Sequence, residues 1–320
     1  MIGLEIDSVI YKVSSLFYII NKDDIKIVFA YCKMALSDIC KLELKRTGKN
    51  ISFEETNNRL ESAASFSQYI IRCNVLVTLI GERHDKSFKC NAPSLSISEY
   101  CEQSVKRNPN CRVILEYYCG NEKVRPDAPE RMNSESIKNT FRKIKKAGKQ
   151  TQLMPLDYRP AFLTRAGQDD LYGNGWFNYK SPDKIRKTFI LPFQKEAEKF
   201  SMNNPHFYSK HVIDFLKKYY DEICMEFKSI EQKLYRGNKL TEIRQNLFDA
   251  WKLVADYFII RKVLKQDGLG IDEYIIILGE AHRINIQNAF KRLYPLVNRI
   301  GSRQNGEEGK CVKLFQTYRF

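Results

Sequence analysis

The strongest pattern along the chain is a series of short, unbroken apolar runs separated by stretches with apolar residues at three-and-four spacing. Asn74-Val-Leu-Val-Thr-Leu-Ile80 runs straight into Gly81. A β-branched run without alternation predicts a strand buried on both faces, the kind found in parallel sheets. A second such run, Cys111 to Tyr118, follows a helical pattern over Ser96 to Arg107, and a third strand is predicted over Thr151 to Leu156 after a helix over Ser134 to Ala147. This third run ends in Asp157-Tyr158-Arg159-Pro160. The βαβαβ order predicts a right-handed parallel sheet. From Ser181 to Lys265 the pattern is helical, in three helices over about 182–200, 209–235 and 240–265, broken near Asn203-Asn204-Pro205 and Gly237-Asn238. A fourth strand, Glu273 to Leu278, runs into Gly279; a helix is predicted from Asn285 to Leu293 and an edge strand over Lys310 to Tyr318.

Ahead of the first strand the pattern reads as helical. Asp23 to Leu44 has helical spacing stopped by Gly48, and Phe53 to Arg72 repeats it behind a Ser52 cap. The expected organisation is therefore a helical lead-in over 1–72, packed on a single α/β domain over 73–320 with a helical insertion at about 181–265. The fold class is α/β: a mainly parallel sheet flanked by helices. A length of 320 residues suits one elaborated domain. The connection from Ala161 to Lys180, with Gly167, Gly173, Gly175, Trp176 and Tyr179, is too long for a tight turn and reads as a binding loop or lid.

Composition narrows the class without choosing a partner. A net charge of +15, from 53 Lys+Arg against 38 Asp+Glu, would attract nucleic acid, an acidic membrane surface or an anionic substrate. Nucleic acid is indicated by charge alone, because no RNP, KH, zinc-finger or helix-turn-helix signature accompanies it. The densest basic run, Arg142 to Lys149, carries Phe141 and Ile144 at helical spacing and reads as a solvated helix face. Val9 to Cys32 is broken by Lys12, Lys22, Asp23, Asp24 and Lys26, so neither a signal peptide nor a membrane span is expected. Nine cysteines without a Cys-x-x-Cys pair suggest reduced core thiols, hence a soluble, cytoplasmic or otherwise intracellular chain. Oligomeric state has no signature here.

Candidate chemistry sits at the strand ends. Only four histidines occur, at 84, 206, 211 and 282, and two of them share one frame: Gly81-Glu82-Arg83-His84 and Gly279-Glu280-Ala281-His282. A Gly-Glu-x-His frame arises in roughly one chain per hundred of this composition, and a pair far more rarely. Open α/β sheets bind ligands beyond the carboxyl ends of their strands. Glycine permits close backbone approach there, and residues two apart on extended backbone point to one side. Glu82 with His84, and Glu280 with His282, are thus expected to face one crevice as opposite walls. Glu116 ends the second strand's apolar run, while Asp157 and Arg159 end the third. Each residue alone could instead cap the next helix. His206 and His211 read as surface residues, and Cys119 as an incidental thiol rather than a nucleophile.

These motifs resemble a known superfamily. Leu-Ile-Gly-Glu-Arg-His-Asp, Val-Ile-Leu-Glu, Leu-Asp-Tyr-Arg and a late Gly-x-x-His are similar to those of the group joining erythromycin esterases, ChaN-like haem-binding proteins and TraB/Tiki proteins, over about residues 74–160 and 273–295. The resemblance implies a sheet whose strand ends hold two histidines and a glutamate. It implies water activation for hydrolysis in esterase-like members, metal-dependent proteolysis in Tiki-like members and haem binding in ChaN-like ones. Carried over by position, His84, Glu116 and His282 are central, with Glu82 and Glu280 beside them and Asp157 and Arg159 at the third strand.

Two functional classes follow, with a third beside them. In a hydrolase of a small-molecule or peptide substrate, His84 or His282 takes a proton from water, Glu116 orients or shares it, and Arg159 stabilises developing charge. The metal-assisted variant uses His84, His282 and Glu116 as a shell for Zn²⁺ or Mn²⁺, with an open position for water. The second class is a non-catalytic module for haem, a metal or an anion; the acidic cluster disfavours haem. The third is a structural or interaction protein that kept the fold.

Overall fold

The computed structural model describes residues 51–71, 75–82, 90, 93–118, 134–157, 182–195, 208–236, 240–265, 270–293, 299–304 and 311–319. In chain order the elements are β1 (Ile51–Glu61), β2 (Ala63–Ile71), β3 (Val75–Glu82), β4 (Ser94–Ser96), α1 (Ile97–Arg107), β5 (Cys111–Tyr118), α2 (Glu135–Lys146) and β6 (Leu153–Asp157). They continue with α3 (Pro182–Ile185), which runs into a π-turn (Arg186–Ile190), then α4 (Lys210–Tyr235), α5 (Leu240–Leu264), β7 (Glu273–Gly279), α6 (Glu280–Leu293), β8 (Arg299–Gln304) and β9 (Cys311–Arg319). The chain divides into a main unit, Glu54–Ile71 with Val75–Gln316, and a smaller one, Met1–Phe53 with Arg72–Asn74 and Thr317–Phe320.

The centre of the main unit is a six-stranded mixed sheet in the order β6-β5-β7-β3-β2-β8. The four strands β6, β5, β7 and β3 are parallel; β2 and β8 complete the sheet antiparallel. A second, three-stranded sheet has the order β4-β1-β9. The strands expected from unbroken apolar runs are present, and the reason is visible in β7. Tyr274, Ile276 and Leu278 pack toward α4, α5 and α6, while Ile275 and Ile277 pack toward α1 and α2, so no position is left for water to select a polar residue. The chain-late strand β7 inserts between β3 and β5, which puts the ends of β5, β7 and β3 side by side.

The helices follow local rules. Ser96 caps α1 in a full capping box with Glu99, and Ser134 caps α2 by accepting from the Ile137 N–H. α4 and α5 form an antiparallel-packed pair with an aromatic interior: Phe227 meets Trp251, and Tyr219 stacks on Tyr257 at 6.4 Å. No described helix is long and apolar enough to cross a membrane.

Three expectations need correction, and two fall outside the described residues. The stretch from Phe53 to Ile71, read as helical, forms β1 and β2. In β2 the apolar residues Ala63, Phe66 and Ile71 sit in an interior strand buried on both faces, so their spacing carried no information about period. The final helix begins at Glu280, with no loop after β7, rather than at Asn285. Cys90 is disulfide-bonded, which runs against the reading of a wholly reduced chain. The helical lead-in over residues 1–50 and the glycine-rich connection 161–180 lie outside the described residues.

Candidate functional site

At the carboxyl ends of β5 and β7, Glu116 and His282 join Asp256 of α5 in a row of three ionisable side chains. Parity in β5 places Glu116 on the same face as Ile114, the face covered by α5 and α6. One carboxylate oxygen, Oε2, accepts the Gly279 N–H at 3.0 Å, and the other, Oε1, lies 3.3 Å from His282 Nε2. His282, in the first turn of α6, turns its other ring nitrogen to Asp256 of α5, with Nδ1 to Oδ1 at 2.6 Å. Asp256 Oδ2 accepts from Asn285 Nδ2 at 2.8 Å, so both oxygens of this carboxylate are held.

Burial is graded along the row. Asp256 is fully buried, His282 keeps 9% of its side chain exposed and Glu116 16%, so the Nε2–Glu116 end opens toward solvent. Burial pushes the Asp256 carboxyl above its ordinary value, opposed by the charge and hydrogen bond of His282 and by Asn285. A contact of 2.6 Å to a buried carboxylate is the short, charge-assisted kind. The arrangement can orient an imidazole and present its Nε2 beside a second carboxylate at a partly open edge.

The other predicted residues go elsewhere. Glu82 ends β3 on the opposite face, with Ile80, and accepts from Ser134 Oγ at 2.6 Å at the head of α2. Glu280 lies over Gly81, accepts from Ser65 Oγ, and pairs with buried Arg283 at 2.7–3.0 Å. A Cβ at Gly81 would overlap the Glu280 carboxylate and come within 2.5 Å of Ser65 Oγ, so a side chain there would displace the Glu280–Ser65 contact. The twin frames are thus not two walls of one crevice in their glutamates: in the second frame the helix starts at Glu280, which sends Glu280 and His282 in different directions. Asp157 ends β6 beside Tyr118 of β5. His84, Arg159, Cys119 and His206 lie outside the described residues, and His211 donates from Nε2 to the Leu293 carbonyl at 2.9 Å.

Asp256 was missed because it stands in a helix far from any strand end. A signal existed: within Val254-Ala-Asp-Tyr-Phe-Ile259 it is the lone carboxylate in an apolar helical stretch, and a buried charge needs a partner. Among the described residues, which do not include His84, no group of three or more His, Cys, Asp or Glu side chains is placed to hold a metal ion. Comparison with family models, with curated proteins and with solved structures finds no match.

Proposed function

We propose that the chain is a hydrolase in which His282 and Glu116 together handle the attacking water at the ends of β5 and β7. The observation that carries this reading is the 3.3 Å approach of His282 Nε2 to Glu116 Oε1 at the one end of the row that meets solvent. An imidazole beside a carboxylate can take a proton from water and pass it on, a role that contributes about 10²–10⁴-fold to rate. The Gly279 N–H fixes one oxygen of Glu116, which leaves the other for the shared proton. The motif resemblance to esterase- and protease-like proteins points the same way. The substrate is a small molecule or peptide with an ester, peptide or phosphoester bond.

The same side chains tie β5, α5 and α6 together, and a purely structural role is the competing reading. The two separate in one assay: the full chain is offered an acetyl ester, a fluorogenic peptide and an aryl phosphate, each with and without chelator. One class should be hydrolysed, with His282→Gln lowering kcat/KM by about 100-fold or more and His211→Gln leaving it within about twofold. Loss with chelator would add a metal to the mechanism. Hydrolysis of none of the three, or full activity in His282→Gln, contradicts the proposal.

A further inference from the structure

We infer that Asp256, supplied by the helical insertion, is the positioning residue that holds a proton on Nδ1 of His282 and so aims Nε2 at Glu116. Four observations converge on it. The Nδ1–Oδ1 distance is 2.6 Å, at or just below the about 2.7–2.9 Å of a charge-assisted N–H···O bond. Asp256 is fully buried, so water does not compete for its oxygens. Asn285 Nδ2 donates to the second oxygen at 2.8 Å, which keeps the carboxylate from swinging away. His282 and Asn285 stand three residues apart on α6, on neighbouring positions of one helix face, so the docking of α5 against α6 builds all these contacts at once.

The ring nitrogens of histidine are distinct, and the bond made by one decides what the other offers. With Nδ1–H committed to Asp256, Nε2 is the nitrogen that faces Glu116 and exchanges the shared proton at the open end of the row. The insertion therefore contributes a working part of the site as well as covering the sheet. The Tyr219 hydroxyl of α4 is raised above its ordinary value by burial first and by the Asp256 charge second.

The consequence for rate rests on the hydrolase reading; the proton on Nδ1 does not. The test is therefore ring-¹⁵N histidine NMR of the full chain, where only four histidines need assignment and His282→Gln identifies the signal. The wild type should show a strongly downfield Nδ1–H on His282, and Asp256→Asn should lose it. Kinetically, Asp256→Asn should lower kcat by about 10²–10⁴-fold with KM changed no more than about threefold, as expected of a residue acting through the base. If Asp256→Asn fails to fold, Asn285→Ala, which leaves the carboxylate with one holder fewer, should still weaken the downfield signal. A wild-type His282 protonated at Nε2 alone, or a downfield signal unchanged in Asp256→Asn, overturns the assignment. A chain without hydrolytic activity but with the expected Nδ1–H sinks the hydrolase reading and leaves the positioning role standing.

Discussion

Replacing Glu280 by alanine probes the buried pair that the second Gly-Glu-x-His frame turns out to build. Arg283 is only 2% exposed, and Glu280 takes its Nε and Nη2 at 2.7–3.0 Å, leaving Gln287 as the partner of Nη1. Breaking a buried ion pair by removing one member costs about 3–5 kcal/mol, because the other charge stays buried. Ser65 Oγ, also fully buried, loses its acceptor, a loss of about 1–3 kcal/mol. Against this, 27% of the Glu280 side chain is exposed, so water can reach the vacated place and solvate part of the guanidinium. The net expectation is a loss of about 3 kcal/mol, read as a lower urea midpoint with an unchanged slope. The double variant Glu280→Ala/Arg283→Met removes both charges and should be more stable than Glu280→Ala alone. A loss below about 1 kcal/mol in Glu280→Ala, or a double variant as unstable as the sum of the two single ones, would refute the reasoning.

Other expectations come from the same packing. Ser134→Ala removes the cap of α2 and the donor to Glu82 and should cost about 1–2 kcal/mol by chemical denaturation. Ile277→Ala, at the centre of β7 and fully buried, should cost about 2–5 kcal/mol, making it among the most harmful truncations in the sheet. Glu99 is held below the usual carboxylate range by the Ser96 backbone N–H, then by the Ser96 hydroxyl and Lys143. A depressed folded-state value means that its stabilisation is present above the ordinary carboxyl value and is lost as pH falls through the depressed one. The stability gap between the wild type and Glu99→Gln should therefore be open at neutral pH and close on acidification; a gap independent of pH would contradict it.

How much of this could be read from the chain depends on whether water selects at each position. The runs at 75–80, 111–115 and 274–278 announce themselves because strands covered on both faces are dominated by apolar residues. β2 is covered on both faces as well, yet it carries Ser65, Ser67 and Gln68 fully buried. Ser65 and Gln68 are satisfied by partners distant in sequence, Gln68 donating to Thr78 Oγ1 at 3.1 Å, and those partners are invisible in a local pattern. The site divides along the same line. Glu116 and His282 were legible because strand ends collect chemistry in such sheets. The fate of Glu82 was not, since one residue of parity puts it on the other face with α2. Asp256 joins the row only through the packing of α5 on α6, a tertiary fact that spacing along the chain does not encode.

The most direct test of the central claim is a double-mutant cycle on kcat/KM for the hydrolysed substrate, using Glu116→Gln, His282→Gln and the pair. If one water is handled by both side chains, each single variant should lose about 100-fold or more, and the double variant should fall only a few-fold below the worse single one, because residues acting as a unit are strongly non-additive. Losses that multiply, or either single variant retaining wild-type kcat/KM, would contradict a shared catalytic site at the ends of β5 and β7.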